Sequence, residues 1–204
     1  MGMGSNESGQ VGDGSKTTRP TPVAVVGIQN VASVSAGGYH SLAIKTDRTV
    51  WAWGENGNGQ LGNGTNAESL APVQSIGLTN ALSVSAGNRC SLAVKSGGSL
   101  WVWGQNNYGQ LGDGTIADRN TPWQHTGITN VIMANLGEAH GMALKSAVVS
   151  FTSADVIRAL SISAGTKTAT ADEKTRMDLN GSGKVDIPDT ARMARKVAGL
   201  EANP

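Results

Sequence analysis

The first 146 residues place their apolar side chains in short clusters, each broken within a few positions by glycine, asparagine or aspartate. Residues 34–35, 41–45 and 49–53 read as short strands, and Trp51 and Trp53, two positions apart, share one face of theirs. The intervening Gly, Asn and Asp residues supply turns, including the positive-φ positions that Asn-Gly and Asp-Gly pairs adopt at little cost. Beyond Ser146 the pattern changes. Apolar residues at 156, 157, 160 and 162 predict a short helix from Ser153 to Gly165, with those two residues as its caps. A second helix is predicted from Pro188 to Ala198, with Pro188 in its first turn and Gly199 just past its end. Residues 170–177 leave room for a helical turn or two between them.

The strand clusters recur. A shift of 50 residues superimposes Val31–Thr65 on Ala81–Thr115 with 19 of 35 positions identical and no gap. The shared pieces are Ser-Val-Ser-Ala-Gly at 33–37 and 83–87, Ser-Leu-Ala at 41–43 and 91–93, and Trp-x-Trp-Gly-x-Asn-x-x-Gly-Gln-Leu-Gly-x-Gly-Thr at 51–65 and 101–115. The register extends back to about Gly4 and forward to about Ser146, nearly three periods. Short strands repeated at this spacing predict the blades of a β-propeller. At Gly4 the register opens just after the place of a Trp-x-Trp strand, which predicts a start inside a longer array. A closed propeller takes at least about 4 blades, so unpaired blade edges and a tendency to associate are expected.

The tryptophan segment, with the Gly-x-x-His-Ser-Leu-Ala strand before it, resembles the regulator of chromosome condensation repeat. The resemblance covers about residues 4–146 and implies an incomplete propeller of about three 50-residue blades. The repeated tryptophans are expected in the blade core. Trp123 stands where the previous repeat has Val73, and is the better candidate for an exposed contact. His40, Cys90 and His140 share one repeat position; equivalent residues fall on separate blades, which favours structural roles over a metal site. His125 has no counterpart and is expected on the surface.

Residues 178–189 read Asp-Leu-Asn-Gly-Ser-Gly-Lys-Val-Asp-Ile-Pro-Asp. A calcium ion takes six to eight oxygens, and a twelve-residue loop supplies them from positions 1, 3, 5, 7, 9 and 12. Those positions are Asp178, Asn180, Ser182, the Lys184 carbonyl, Asp186 and Asp189, with Gly183 at the sharp turn. With the following Lys196-Val-Ala-Gly-Leu200, the segment resembles one half of a dockerin, an EF-hand-like α-helical module of about residues 147–201. Dockerins plug into cohesin domains of a scaffold protein. By that resemblance Ser153, Ala154, Ile187 and Pro188 are partner contacts, and Arg195 lies further along the second helix. The other half lacks the acidic loop: Leu144, Ser146 and Val148 occupy its first, third and fifth positions. One calcium site is therefore expected.

Charge and composition narrow the function. With 16 basic and 15 acidic residues and a net charge of +1, the chain lacks the electrostatic footprint of a nucleic-acid binder. No apolar run approaches the ~20 residues that span a bilayer. The single cysteine, Cys90, excludes an internal disulfide. The start has neither the basic nor the apolar region of a signal peptide. Neither a nucleophile–base pair nor paired carboxylates can be recognised in the sequence, which argues against an enzyme. The combined reading is a non-catalytic extracellular binding protein. Its calcium-loaded tail tethers it to a cohesin-bearing, cellulosome-like scaffold, and its repeats recognise an unknown protein or carbohydrate. The alternatives are a guanine-nucleotide exchange factor-like propeller and a fragment of a polysaccharide-degrading enzyme.

Overall fold

The computed structural model describes residues 1–146, 153–163, 168–177 and 192–195. The chain divides into two compact units, Met1–Lys145 and Ser146–Pro204. The first is all β. Strands β3 (Val31–Ala36), β4 (His40–Lys45), β5 (Val50–Gly54) and β6 (Ser69–Gln74) form one antiparallel meander. Strands β7 (Ala81–Ala86), β8 (Cys90–Lys95), β9 (Leu100–Gly104) and β10 (Arg119–Gln124) repeat it 50 residues on. These are two complete propeller blades. A half-blade flanks each side: β1 (Gly2–Gly4) with β2 (Arg19–Val23) before, and β11 (Val131–Leu136) with β12 (Gly141–Lys145) after.

The leading half-blade differs from the sequence expectation. Gly2–Gly4 is the strand equivalent to Ala52–Gly54, present without its tryptophans because Met1 and Met3 hold the places of Trp51 and Trp53. The outer strands β2, β6 and β10 were not legible in the apolar pattern. Pro72 and Pro122 interrupt β6 and β10, and each lies where the pairing skips, between Ala52 and Gly54 for β6 and between Arg119 and Trp123 for β10. An edge strand tolerates a residue with no N–H at such a break.

Blades stack through one apolar layer per junction. Leu42, Ile44, Val50 and Ala52 of the first blade meet Ala81, Ala86, Ala93 and Trp103 of the second. Leu92, Val94 and Val102 of the second meet Val131 and Ala134 of the trailing half-blade. Polar latches fix the spacing. Trp103 Nε1 donates to the Gln60 carbonyl at 2.8 Å and Ser91 Oγ to the same oxygen at 2.8 Å. Trp53 and Ser41 reach the Gln10 carbonyl in the same way, at 2.9 and 2.8 Å. Gly62 must be glycine twice over. Its φ is 66°, and a Cβ there would lie 2.7 Å from Trp103 Nε1.

Each long loop winds around one buried asparagine. Asn56 Nδ2 donates to the carbonyls of Thr65 and Ala67, both at 2.9 Å, and its Oδ1 accepts from Leu61 N at 2.9 Å. Asn6 and Asn106 repeat the arrangement. This is the role of the Asn in Trp-Gly-x-Asn: one amide side chain satisfies backbone groups of a loop that makes no sheet.

In the second unit, α1 spans Ser153–Ser163 and α2 spans Ala171–Met177, with Arg192–Arg195 also helical. Thr170 and Glu173 form a capping box at the start of α2: Glu173 N donates to Thr170 Oγ1 at 3.2 Å, and Thr170 N to Glu173 Oε2 at 2.9 Å. Arg158 forks onto both Glu173 oxygens at 2.7 and 3.1 Å, and that guanidinium holds the Glu173 carboxyl down at about 2. Ala159, Met177 and Met193 make a small apolar cluster. None of the described helices is long and apolar enough to cross a membrane.

Candidate functional site: one loop rim of the blades

The turns joining the first two strands of each blade share a rim with the loops that follow the third strand. Glu55 N donates to Tyr39 O and Gln105 N to Arg89 O, each at 2.9 Å. Gly38 N bonds Gly87 O across the blade junction at 3.1 Å. Gly37, Gly87 and Gly137 are the same residue at the same repeat position, whereas the next two positions read Gly38-Tyr39, Asn88-Arg89 and Glu138-Ala139. The constant glycine meets the needs of the framework, and the pair that follows it differs in side chain from repeat to repeat.

On this rim Arg89 Nε pairs with Glu55 Oε2 at 3.2 Å, and the Arg89 guanidinium lies 5.1 Å from the Tyr39 ring centre. Gln60 Nε2 donates to Glu55 Oε2 at 3.3 Å, and Asn88 Nδ2 to Glu138 Oε1 at 3.4 Å. Of these, Tyr39, Asn88 and Glu138 border, with Gly38 and Gly137, a shallow, largely polar depression of about 420 Å³. Tyr108, in the loop after β9, is well exposed. A shallow polar hollow edged by Tyr39 suits contact with a folded surface better than enclosure of a small ligand.

A serine–histidine pair is present but does no nucleophilic chemistry. His40 Nε2 lies 2.8 Å from Ser91 Oγ, and both residues are fully buried. Ser91 gives its one proton to the Gln60 carbonyl, so His40 Nε2 is the N–H donor to Ser91 and cannot act as its base. Burial pushes the His40 pKa down from 6.5 to about 4, a drop only partly opposed by the Asn88 backbone. In the second repeat the pair becomes Cys90 and Gly141; without the hydroxyl, no imidazole is needed. Burial also raises the Cys90 thiol to about 11. His140 is exposed, and among the described residues no three His, Cys, Asp or Glu side chains gather around a metal position.

His40 makes stability depend on pH. The unfolded imidazole takes its proton near 6.5 and the folded one only near 4, so stability falls as pH drops from about 6.5 to about 4 and is level above that window. The slope is about 1.4 kcal/mol per pH unit, roughly 3 kcal/mol in all. Urea melts of the wild type and His40→Gln across this range are expected to differ in slope. Parallel slopes would remove His40 as the cause.

The tryptophans divide between core and margin. Trp53 and Trp103 are buried, while Trp51 and Trp101 are half-buried beneath Lys45 and Lys95, whose Nζ atoms lie 5.4 and 4.7 Å from the ring centres. Trp123, the candidate for an exposed contact, is half-buried. It packs on the second apolar layer, with Arg119 5.0 Å above its ring and His125 edge-on at 5.5 Å. His125 Nε2 is held 2.9 Å from Gly112 O. Of the positions assigned to partner contact in the tail, Ser153 and Ala154 open α1, with Ala154 exposed, and Arg195 is exposed in the last described helical turn. Ile187 and Pro188, and the calcium positions Asp178, Asn180, Ser182, Lys184, Asp186 and Asp189, lie outside the described residues.

Meanders of this kind at a fixed period define a β-propeller repeat protein. The family model for the regulator of chromosome condensation (RCC1) repeat matches residues 2–44, 47–94 and 97–144. A second RCC1 repeat model matches residues 31–60 and 82–110. The chain belongs to the RCC1 repeat family. No curated protein sequence matches it. Among solved structures it is similar to human WBSCR16, at 25% identity and a TM-score of 0.62, over 71% of this chain and 39% of that one. It is also similar to Prp20p from Saccharomyces cerevisiae, whose binding to Gsp1p and histones is described, at 23% identity and a TM-score of 0.57 over 70% and 39%. Yeast RCC1 (Prp20) bound to Kap60 aligns at 21% identity and a TM-score of 0.59 over 70% and 37%. The chain thus spans about two-fifths of the length of these relatives.

Proposed function

We propose that this chain is a non-catalytic extracellular binding protein in which the RCC1 blades present a recognition rim and the C-terminal segment is a calcium-dependent tether. The varying residues at 38–39, 88–89 and 138–139 on a constant framework carry the first half of the reading. The relatives' association with Gsp1p, histones and Kap60 supports a protein as the rim's partner.

The donor order at 178–189 carries the second half. Asp178, Asn180, Ser182, Asp186 and Asp189 offer side-chain oxygens and Lys184 its carbonyl, a hard-oxygen set of the kind calcium takes. Bound calcium would neutralise this acidic loop and make its folding part of the binding free energy. The exposed Ala154 and Arg195, with Ser153, Ile187 and Pro188, then form the face offered to a cohesin domain. Ser182 in place of an acidic fifth ligand weakens the affinity without removing the site.

Calorimetric titration with calcium is expected to give one site, lost in Asp178→Ala. A cohesin panel should retain the chain only when calcium is present. No calcium heat and no retention would sink the tether and leave the rim alone. Accelerated nucleotide release from a small GTPase would favour the exchange-factor reading, and hydrolysis of a plant polysaccharide the enzymatic one.

A further inference from the structure

The turns that join β4 to β5 and β8 to β9 lie on the rim opposite Tyr39, Glu55 and Arg89, because successive strands of a meander run antiparallel. The two rims differ in charge. Among the described residues of Met1–Lys145, this second rim carries Lys45, Lys95 and Lys145 at strand ends and Arg48 in a turn, against one carboxylate, Asp47. The other acidic residues of the unit fall on the first rim.

The β4–β5 turn closes around a carboxylate of its own. Asp47 Oδ1 accepts from Thr49 N at 3.0 Å and from Thr49 Oγ1 at 2.6 Å, and Lys45 Nζ lies 3.5 Å from Asp47 Oδ2. Trp51 Nε1 donates to the same hydroxyl at 3.0 Å, which leaves the hydroxyl proton for Asp47. These donors hold the Asp47 carboxyl below the usual carboxylate range, the Thr49 hydroxyl foremost.

The β8–β9 turn keeps the frame and the donors but not the acceptor. Lys95 N bonds Ser99 O as Lys45 N bonds Thr49 O, both at 3.0 Å, and Gly98 N bonds Lys95 O as Arg48 N bonds Lys45 O. Trp101 Nε1 again donates to the hydroxyl, here Ser99 Oγ at 3.3 Å, and Lys95 Nζ lies over the Trp101 ring. The residue at the place of Asp47 is Gly97, with φ 86°, and a Cβ on it would meet nothing within 4 Å. Among the described residues nothing accepts from Ser99 N or from the Ser99 hydroxyl, and no carboxylate pairs with Lys95. Arg48 flanks this turn. Its carbonyl accepts from Ala81 N, and Ala81 is the register partner of Lys95. The Arg48 φ of 65° is one that Gly98 takes freely, so this exposed guanidinium is carried at a cost in backbone strain.

We propose that the Lys95–Ser99 turn binds a carboxylate of an acidic protein segment, through the same donors that hold Asp47 in the preceding repeat. One carboxylate oxygen takes the Ser99 N–H and hydroxyl, and the other faces Lys95. Arg48 attracts a second acidic side chain of the same segment. A short peptide fits this rim better than a nucleic acid, whose phosphates call for a longer basic track than four cations on a chain of net charge +1. The site stands on the opposite rim from the one assigned above to recognition and does not rest on that reading.

Titration of the full isotope-labelled chain with a hexaglutamate peptide, followed by amide and indole resonances, tests the site. The Ser99 amide and the Trp101 indole are expected to shift saturably, and the Thr49 amide to stay in place because Asp47 already holds its donors. Hexaglutamine should move none of them. Lys95→Met keeps an apolar stem on Trp101 without the charge, and should weaken the peptide about tenfold, the loss of one charge-assisted hydrogen bond. Arg48→Gly should weaken it with no loss of thermal stability. Asp47→Gly is the converse test: it should let the Thr49 amide respond as well. A Ser99 amide that stays put, equal shifts at Thr49 and Ser99 in the wild type, or full affinity in Lys95→Met would each overturn the proposal. A stronger response to hexathymidylate than to hexaglutamate would overturn it in favour of nucleic acid.

Discussion

Trp103→Ala is expected to destabilise the blade unit by about 3–5 kcal/mol, the range for truncating a buried tryptophan. The side chain is fully buried in the layer between the two complete blades, against Leu42, Ile44 and Leu61. Its indole N–H also closes the 2.8 Å latch to the Gln60 carbonyl. Truncation would leave a cavity in the layer and remove one of the two donors to that oxygen. Trp101→Ala is the control. Trp101 lies two residues away on the same strand, but it is half-buried beneath Lys95 and donates only to Ser99 Oγ at 3.3 Å. All five tryptophans lie within Met1–Lys145, so fluorescence-detected urea unfolding reports on that unit and not on the tail. Equal losses for the two variants would show that junction packing does not govern the unit's stability.

The difference between Trp101 and Trp103 also marks how far the sequence could be read. Their spacing placed both rings on one strand face, and the 50-residue repeat identified that face as blade core. The depth of each ring depends on the neighbouring blade, whose Gly62 lies beside Trp103 and not beside Trp101. The same limit applied to the outer strands. Ser-Leu-Ala-Pro-Val-Gln at 69–74 has a proline in its middle and no clean alternation, so nothing local announces β6; its pairing with β5 does. The burial of Trp123 was hidden for a related reason. Its repeat partner Val73 is smaller, and the extra bulk folds back under Arg119 and beside His125 instead of facing outward. The rim could not be recognised until the turns were placed side by side, because Tyr39, Glu55 and Arg89 are far apart in sequence. Within one repeat they look like ordinary loop residues. The His40–Ser91 pair needed the fold even more, because its members belong to different blades.

Asn56→Asp is expected to damage the blade unit more than Asn56→Ala, although the aspartate is nearly isosteric. The side chain is fully buried, and its Nδ2 faces two carbonyl oxygens, of Thr65 and Ala67, each 2.9 Å away. A carboxylate has no hydrogen to give, so both contacts turn from donor–acceptor to acceptor–acceptor, with the Asn63 side-chain Oδ1 3.2 Å away adding a third. Only the bond accepted from Leu61 N would survive. Alanine loses the bonds and leaves backbone groups unsatisfied, a cost of about 1–3 kcal/mol. Aspartate adds the burial of an unpaired charge, which raises the loss to about 3–5 kcal/mol at neutral pH. Acid should narrow the gap, because protonation both removes the charge and restores one donor. Urea melts at neutral pH and near pH 4 test this, with Asn56→Ala as the reference at each pH. If aspartate matches alanine at both, the loop is held by its glycine turns and the asparagine is dispensable. If the gap opens at neutral pH and closes in acid, one amide per repeat is what shapes the long loops of the rim.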